Sequence, residues 1–120
     1  MEAQNTDYPV MLRDFVAKSG GGVSFVEITR FLKQFFETEG DGGVFVPSHP
    51  NTVFWFGMSE QYIEVITEAV NRKLIVPRPT SPLVYFGDGE YVKLPIATGS
   101  RQYKKPHWFP LVFNVHKSKY

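Results

Sequence analysis

The residues best suited to acid–base chemistry in this chain are three histidines and twelve carboxylates, and the sequence contains no cysteine. His49, His107 and His116 are far apart and show neither HxH nor HxxxH spacing. No GxSxG, GK[ST] or GxGxxG motif occurs. The absence of cysteine also excludes disulfides, thiolate nucleophiles and cysteine zinc ligands. These patterns predict a protein that is not an enzyme and that uses neither a metal nor a cofactor.

Two further features could suggest a catalytic or a phosphate-binding site, but both have structural explanations. Glu37, Glu39 and Asp41 form a cluster of carboxylates near the end of a predicted helix, where like charges are usually exposed to solvent. The three glycines at 20–22 precede a helix but lack the preceding strand and the spacing of a phosphate-binding loop. We interpret them as the end of the first helix.

A basic and aromatic segment at 100–110, SRQYKKPHWFP, is the best candidate for contact with nucleic acid. Its interleaved basic and aromatic residues are Arg101, Tyr103, Lys104, Lys105, His107 and Trp108. Cations interleaved with rings are typical of single-strand binders, which neutralise phosphates and stack on bases. The alternative is that the apolar residues dock on the core while the lysines keep the loop soluble. In that case the apolar contacts come from Trp108, Phe109, Leu111 and Phe113.

The charge is distributed unevenly along the 120 residues. Residues 1–90 hold twelve acidic and seven basic residues, a net charge of −5, whereas residues 91–120 hold six basic residues and no acidic one, a net charge of +6. The chain begins without a basic and apolar leader, and no stretch is apolar enough to span a membrane. We therefore expect a cytoplasmic protein that does not bind membranes.

Two helices are predicted in the first third of the chain. Asp7 is placed to cap a helix at 8–18, with Pro9 in its first turn. Ser24 and Glu27 form a capping-box pattern at the start of a second helix, and apolar residues follow at helical spacing. Gly40 suits the left-handed residue just past the end of that helix.

A hairpin and a third helix are predicted next. The runs VFVP at 44–47 and NTVFWFG at 51–57 are separated by turn residues. Ser59 caps a helix over 59–73, whose apolar stripe opposes a polar face. The polar face comprises Glu60, Gln61, Glu64, Glu68, Asn71 and Arg72.

Three short strands are predicted between residues 74 and 96. LIVPR, LVYF and a strand around Lys93 would form a meander, with Asp88 and Gly89 in a type I′ turn. That turn would set Phe86 opposite Tyr91. Pro77 indicates an edge strand, and the apolar run at 108–115 is one more strand or a docking arm.

The order helix, helix, hairpin, helix, strand, strand, with the passage RKLIVPRPTSPLVYF at 72–86, resembles the winged helix-turn-helix domain. The resemblance implies an α+β, winged-helix-like fold with three helices and a small antiparallel sheet. It covers roughly residues 8–96, and we expect a domain at 1–96 with a basic, aromatic extension at 97–120 packing on it. The hairpin between helices 2 and 3 departs from the family, which joins these helices by a tight turn.

The resemblance implies that helix 59–73 enters a DNA major groove. Its carboxylates would oppose the phosphates, so a solvated or partner-facing surface is the favoured interpretation of that helix. In the wing, Arg78 with Arg72 and Lys73 would touch backbone phosphates. These cations are explained equally well by the helix C-terminus and by an ion pair between Glu68 and Arg72.

Two hypotheses follow for the function. The first is a nucleic-acid-binding or regulatory module that contacts DNA or a single strand through Arg72, Lys73, Arg78, Arg101, Tyr103, Lys104 and Lys105. The second is a protein-interaction domain that binds a partner through Glu60, Gln61, Glu64 and Glu68, or through the aromatic hairpin at 44–56. A homodimer is compatible with both hypotheses.

Overall fold

The computed structural model describes residues 6–90, 92–97 and 103–116. Within them the fold is α+β, and the elements follow one another in this order: α1 (Tyr8–Lys18), β1 (Val23–Ser24), α2 (Phe25–Leu32), β2 (Glu39–Val46), β3 (His49–Met58), α3 (Glu60–Asn71), β4 (Val76–Pro79), α4 (Pro82–Asp88), β5 (His107–Trp108) and β6 (Leu111–Asn114).

Side-chain caps begin the first two helices where the sequence predicts. The Asp7 carboxylate accepts a hydrogen bond from the Val10 N–H, and α1 runs over the predicted residues. At α2, Ser24 and Glu27 form the complete capping box. Both predicted helix starts are confirmed.

The predicted end of α2 is wrong. The helix ends at Leu32, and turns follow before β2 begins. Gly40 therefore lies in β2 and does not cap a helix. Its need for glycine is steric, because a Cβ there would lie 2.7 Å from the Met58 carbonyl oxygen and from the Ser59 Cα.

The predicted hairpin and the third helix are confirmed. Strands β2 and β3 pair antiparallel, with Val44 opposite Trp55, and the register shifts at several bulges. The Ser59 hydroxyl accepts from the Tyr62 N–H and caps α3. The same hydroxyl donates a hydrogen bond to the Glu37 carbonyl. This bond connects the start of α3 to the segment that precedes β2.

The predicted meander is wrong in its second strand, since LVYF lies in α4. The Ser81 hydroxyl caps this helix by accepting from the Leu83 N–H, and Pro82 occupies its first turn. Gly89, with φ of +94°, ends the helix as a left-handed cap, so it is not part of a hairpin turn. The described residues thus contain four helices, one more than the three predicted.

The third predicted strand of the meander is also not formed as expected. Val92 and Lys93 belong to no strand, and Tyr91 lies outside the described residues. The antiparallel partner of β4 is β6, which lies over thirty residues further along the chain.

Two three-stranded sheets organise the fold. One has the order β1-β6-β4 and is antiparallel, and the other has the order β2-β3-β5, with β5 parallel to β3. Strand β4 is an edge, as Pro77 predicts. The apolar run near the C-terminus supplies strands β5 and β6, and β6 lies between β1 and β4.

An aromatic cluster forms the centre of the core. Phe25 stacks on Trp55 with ring centroids 5.7 Å apart and meets Phe113 edge-on at 5.1 Å. Tyr85 meets Trp108 edge-on at 5.0 Å. Since these rings come from α2, α4 and both sheets, the cluster holds the two sheets to the helices.

Two buried tyrosine hydroxyls link α2 to its neighbours. The Tyr85 hydroxyl donates to the Leu111 carbonyl and accepts from the Phe25 N–H, while the Tyr62 hydroxyl donates to the Phe25 carbonyl and lies 2.8 Å from the Thr29 hydroxyl. Burial raises the pKa of both phenols, so they remain neutral hydrogen-bonding groups.

Candidate binding surfaces

The exposed face of α3 carries the four predicted partner-binding residues. Glu60, Gln61, Glu64 and Glu68 are all exposed. Three of them, Gln61, Glu64 and Glu68, line an open groove of about 460 Å³ between α3 and the N-terminal end of α1. Amphipathic spacing thus brings these residues together on one side of one helix.

A bidentate ion pair closes one end of this groove. Arg72 donates from Nη1 to Oδ1 of Asp7 at 3.0 Å and from Nη2 to Oδ2 at 3.1 Å. Glu68 lies 3.7 Å from the same guanidinium, which confirms the predicted pair one helical turn apart. The hydrogen bonds from Arg72 lower the pKa of Asp7, and the carboxylate of Asp7 raises the pKa of Arg72. Arg72 is therefore engaged within the protein.

The Asp7 carboxylate is expected to stabilise the fold only while it is ionised. Because its pKa in the folded protein lies below the ordinary 3.8, its contribution is present above that value and is lost as the pH falls through the folded-state pKa. Asp7→Asn keeps a good helix cap but removes the charge. We expect a lower melting temperature than the wild type at pH 7 and a smaller difference at about pH 2. An equal difference at both pH values, measured by circular dichroism, would show that the charge does not matter.

The other two basic residues of the predicted wing, Lys73 and Arg78, differ from Arg72 in their contacts. Lys73 follows α3 in a left-handed conformation with φ of +61° and is exposed. Arg78 is exposed on the edge strand β4. Neither forms an ion pair with a carboxylate of the described residues.

The segment before β5 presents two lysines beside a stacked pair of rings. Tyr103 stacks on His107 with centroids 3.9 Å apart, and its carbonyl accepts a hydrogen bond from Asn51 on β3. Lys104 and Lys105 are exposed. Arg101, which the same hypothesis includes, lies outside the described residues.

The aromatic residues further along this segment belong mainly to the core. Trp108 is 1% exposed and donates from its indole nitrogen to the Phe54 carbonyl at 3.2 Å. Leu111 and Phe113 are also buried. The rings of this segment that remain partly accessible are those of Tyr103, His107 and Phe109.

The hairpin presents two exposed rings. Phe45 is 48% exposed and Phe56 is 50% exposed, whereas Trp55 between them in the hairpin is buried. Strand β2 is an edge of its sheet. Edge strands with exposed apolar residues are potential pairing sites for another chain.

A cleft that no sequence motif indicates lies beside the β1-β6-β4 sheet. It measures about 700 Å³ and is lined by residues of α1, the glycine loop, β4 and β6: Ala17, Gly20, Gly21, Val76, Arg78, Asn114, Val115 and His116. From the sequence, the glycines at 20–22 are predicted only to end the first helix. No sequence signal announces the cleft, because strand register alone brings Arg78 and Asn114 together.

No family model, curated protein or solved structure matches the chain significantly. Among the described residues, no three histidine, aspartate or glutamate side chains lie close enough to hold a metal ion. No helix in the same ranges is both long and apolar enough to cross a membrane.

Proposed function

We propose that the protein is a non-catalytic interaction domain that binds a lysine- or arginine-rich segment of a partner protein on the exposed face of α3. The observation that carries this proposal is the assembly of Gln61, Glu64 and Glu68 along one groove on a single rigid helix. The residues predicted to bind nucleic acid are instead separated along the described chain: two directly follow α3, one lies on β4 and three precede β5, while Arg101 lies outside the described residues.

Charge complementarity identifies the kind of partner. Glu60, Glu64 and Glu68 place three carboxylates along the helix, and the guanidinium of Arg72 is matched by Asp7. Carboxylates along one face attract a cationic segment and repel an acidic one, which gives speed and selectivity of association. The helix has twelve residues and is about 18 Å long, enough for a short peptide to lie against it.

The winged-helix resemblance remains a prediction. Helix α3 is followed by β4, which pairs antiparallel with β6 at the edge of the β1-β6-β4 sheet. The connection between these strands is long and contains α4, unlike a simple wing turn. On this proposal the third helix meets a protein rather than a DNA groove, because its face is acidic.

Charge reversal on α3 tests the proposal. Glu64→Lys combined with Glu68→Lys is expected to weaken binding of a fluorescent lysine-rich peptide roughly tenfold or more, measured by anisotropy at low salt. Glu39→Lys combined with Asp41→Lys on β2 is the matched control, since it changes the net charge equally at two exposed positions elsewhere. Equal losses in both variants would mean that only the overall charge matters and would contradict a site on α3.

Nucleic-acid binding is a second candidate function. It is favoured by the exposed Lys104 and Lys105 beside the Tyr103 and His107 stack, a combination suited to a single strand. Lys104→Glu with Lys105→Glu is expected to abolish salt-sensitive binding of a single-stranded oligonucleotide while sparing the peptide. Retention of oligonucleotide binding in this variant would remove the candidate.

A further inference from the structure

The cleft between the glycine loop and the β4–β6 pair has a lining unlike that of the α3 groove. Its polar side chains are Arg78, Asn114 and His116, and none of the described residues that line it carries a carboxylate. The rest of the lining is glycine backbone and small apolar side chains. A volume of about 700 Å³ lies in the range of small-ligand sites.

Strand register places the first two polar groups on one face. Arg78 pairs with Val112 and Val76 pairs with Asn114, so Arg78 and Asn114 are diagonal neighbours across the antiparallel pair. Diagonal residues on one face lie about 7–8 Å apart, a gap that an arginine side chain and one bridging anion can span. His116 follows two residues beyond Asn114 and lines the same cleft.

The glycine loop fixes the orientation of the Asn114 amide. The Gly22 N–H donates to Asn114 Oδ1 at 2.7 Å, so the amide oxygen must face the loop. A Cβ on Gly21 would lie 2.5 Å from that oxygen, and the φ of Gly21 is +86°, so the close contact requires glycine. No described residue accepts a hydrogen bond from Asn114 Nδ2, which leaves an oriented donor.

The guanidinium of Arg78 is available as well. It is exposed, and no carboxylate of the described residues forms an ion pair with it. Arginine presents a planar fork of donors that matches the oxygens of phosphate, and the charge strengthens each hydrogen bond. The Asn114 amide and the His116 imidazole line the same cleft and supply further N–H donors.

We propose that this cleft binds a phosphate group, with Arg78 and Asn114 Nδ2 as its principal donors and His116 as a third. Three donor side chains around one cleft suit a tetrahedral anion with four oxygens better than a planar carboxylate with two. The group comes either from a small phosphorylated molecule or from a nucleic-acid backbone. The proposal is independent of the acidic α3 face, which lies on another element.

Titration of the ¹⁵N-labelled protein, followed by amide chemical shifts, tests the site. Inorganic phosphate is expected to shift the amides of residues 20–22 and 114–116 and to saturate at millimolar concentration, beyond the shifts caused by sodium chloride of equal ionic strength. An oligothymidylate that shifts the same amides at lower concentration would identify nucleic acid as the source. Response to phosphate alone would identify a small phosphorylated ligand.

Matched variants make the test specific. Arg78→Gln, on an exposed edge position that should tolerate the change, is expected to weaken phosphate binding about fivefold or more. Lys33→Gln, an exposed cation at the end of α2, is expected to leave binding unchanged. No saturable shifts at residues 20–22 and 114–116, or equal effects of the two variants, would overturn the proposal.

Discussion

Trp108→Ala is expected to be the most destabilising single substitution in this protein, at about 4 kcal/mol. Trp108 is almost fully buried and contacts Tyr85 and Trp55, which belong to different elements. Its main-chain groups bond to Pro95 and Ala97 on the segment after α4. Truncation would leave a cavity where α4, β3 and this segment meet, and most domains of this size have only about 5–15 kcal/mol of stability.

Urea unfolding followed by far-ultraviolet circular dichroism measures this effect. Trp108→Phe is the matched variant, since it keeps a ring in the core but removes the indole N–H that bonds to the Phe54 carbonyl. We expect it to lose about half as much stability as the alanine variant. An alanine variant as stable as the wild type would contradict the position of Trp108 at the centre of the core.

Tyr85→Phe is expected to cost about 2–3 kcal/mol although it removes only one oxygen atom. The hydroxyl accepts from the Phe25 N–H and donates to the Leu111 carbonyl, both buried. The packing of the ring is preserved, so the loss isolates the cost of leaving buried backbone groups without this partner.

Tyr62→Phe is the control for the Tyr85 variant, because it removes an equally buried hydroxyl with a different consequence. The Phe25 carbonyl can still accept from the Thr29 hydroxyl, which lies 2.8 Å away. We therefore expect a loss of only about 1 kcal/mol, by the same urea unfolding measurement. Equal losses in the two variants would show that satisfaction of backbone groups is not what distinguishes them.

Elements whose starts are fixed by local contacts could be predicted from the sequence. Asp7, Ser24 and Ser59 cap three helices by bonding to N–H groups within three residues, and such contacts are visible as short motifs. Turn residues and β-branched or aromatic runs located the β2–β3 hairpin in the same way.

The strand and turn patterns of residues 82–88 do not predict helix α4. LVYF has strong strand propensity, but Ser81 and Pro82 start a helix there, and Tyr85 completes a buried contact with residues far along the chain. Asp88 and Gly89 fit a hairpin turn as well as a helix end, because a glycine with positive φ occurs in both structures. Tertiary packing, through the buried Tyr85, favours the helix over the hairpin.

The candidate surfaces also divide into those formed by neighbouring residues, which could be predicted, and those formed by distant residues, which could not. The acidic face of α3 could be predicted because helical periodicity alone places its members together. The ion pair between Arg72 and Asp7 could not be predicted, since the two residues are 65 positions apart. The cleft of Arg78 and Asn114 depends on the register of β4 against β6, which a strand pattern does not specify across such a long connection.

The central claim, that α3 binds a basic segment of a partner, is tested most directly by mapping the contact. The ¹⁵N-labelled protein would be titrated with a lysine-rich peptide at low salt, and amide shifts would be followed residue by residue. The account predicts saturable shifts concentrated at residues 60–72 and at residues 6–9 across the groove. Shifts confined to other surfaces, or none at all, would contradict it.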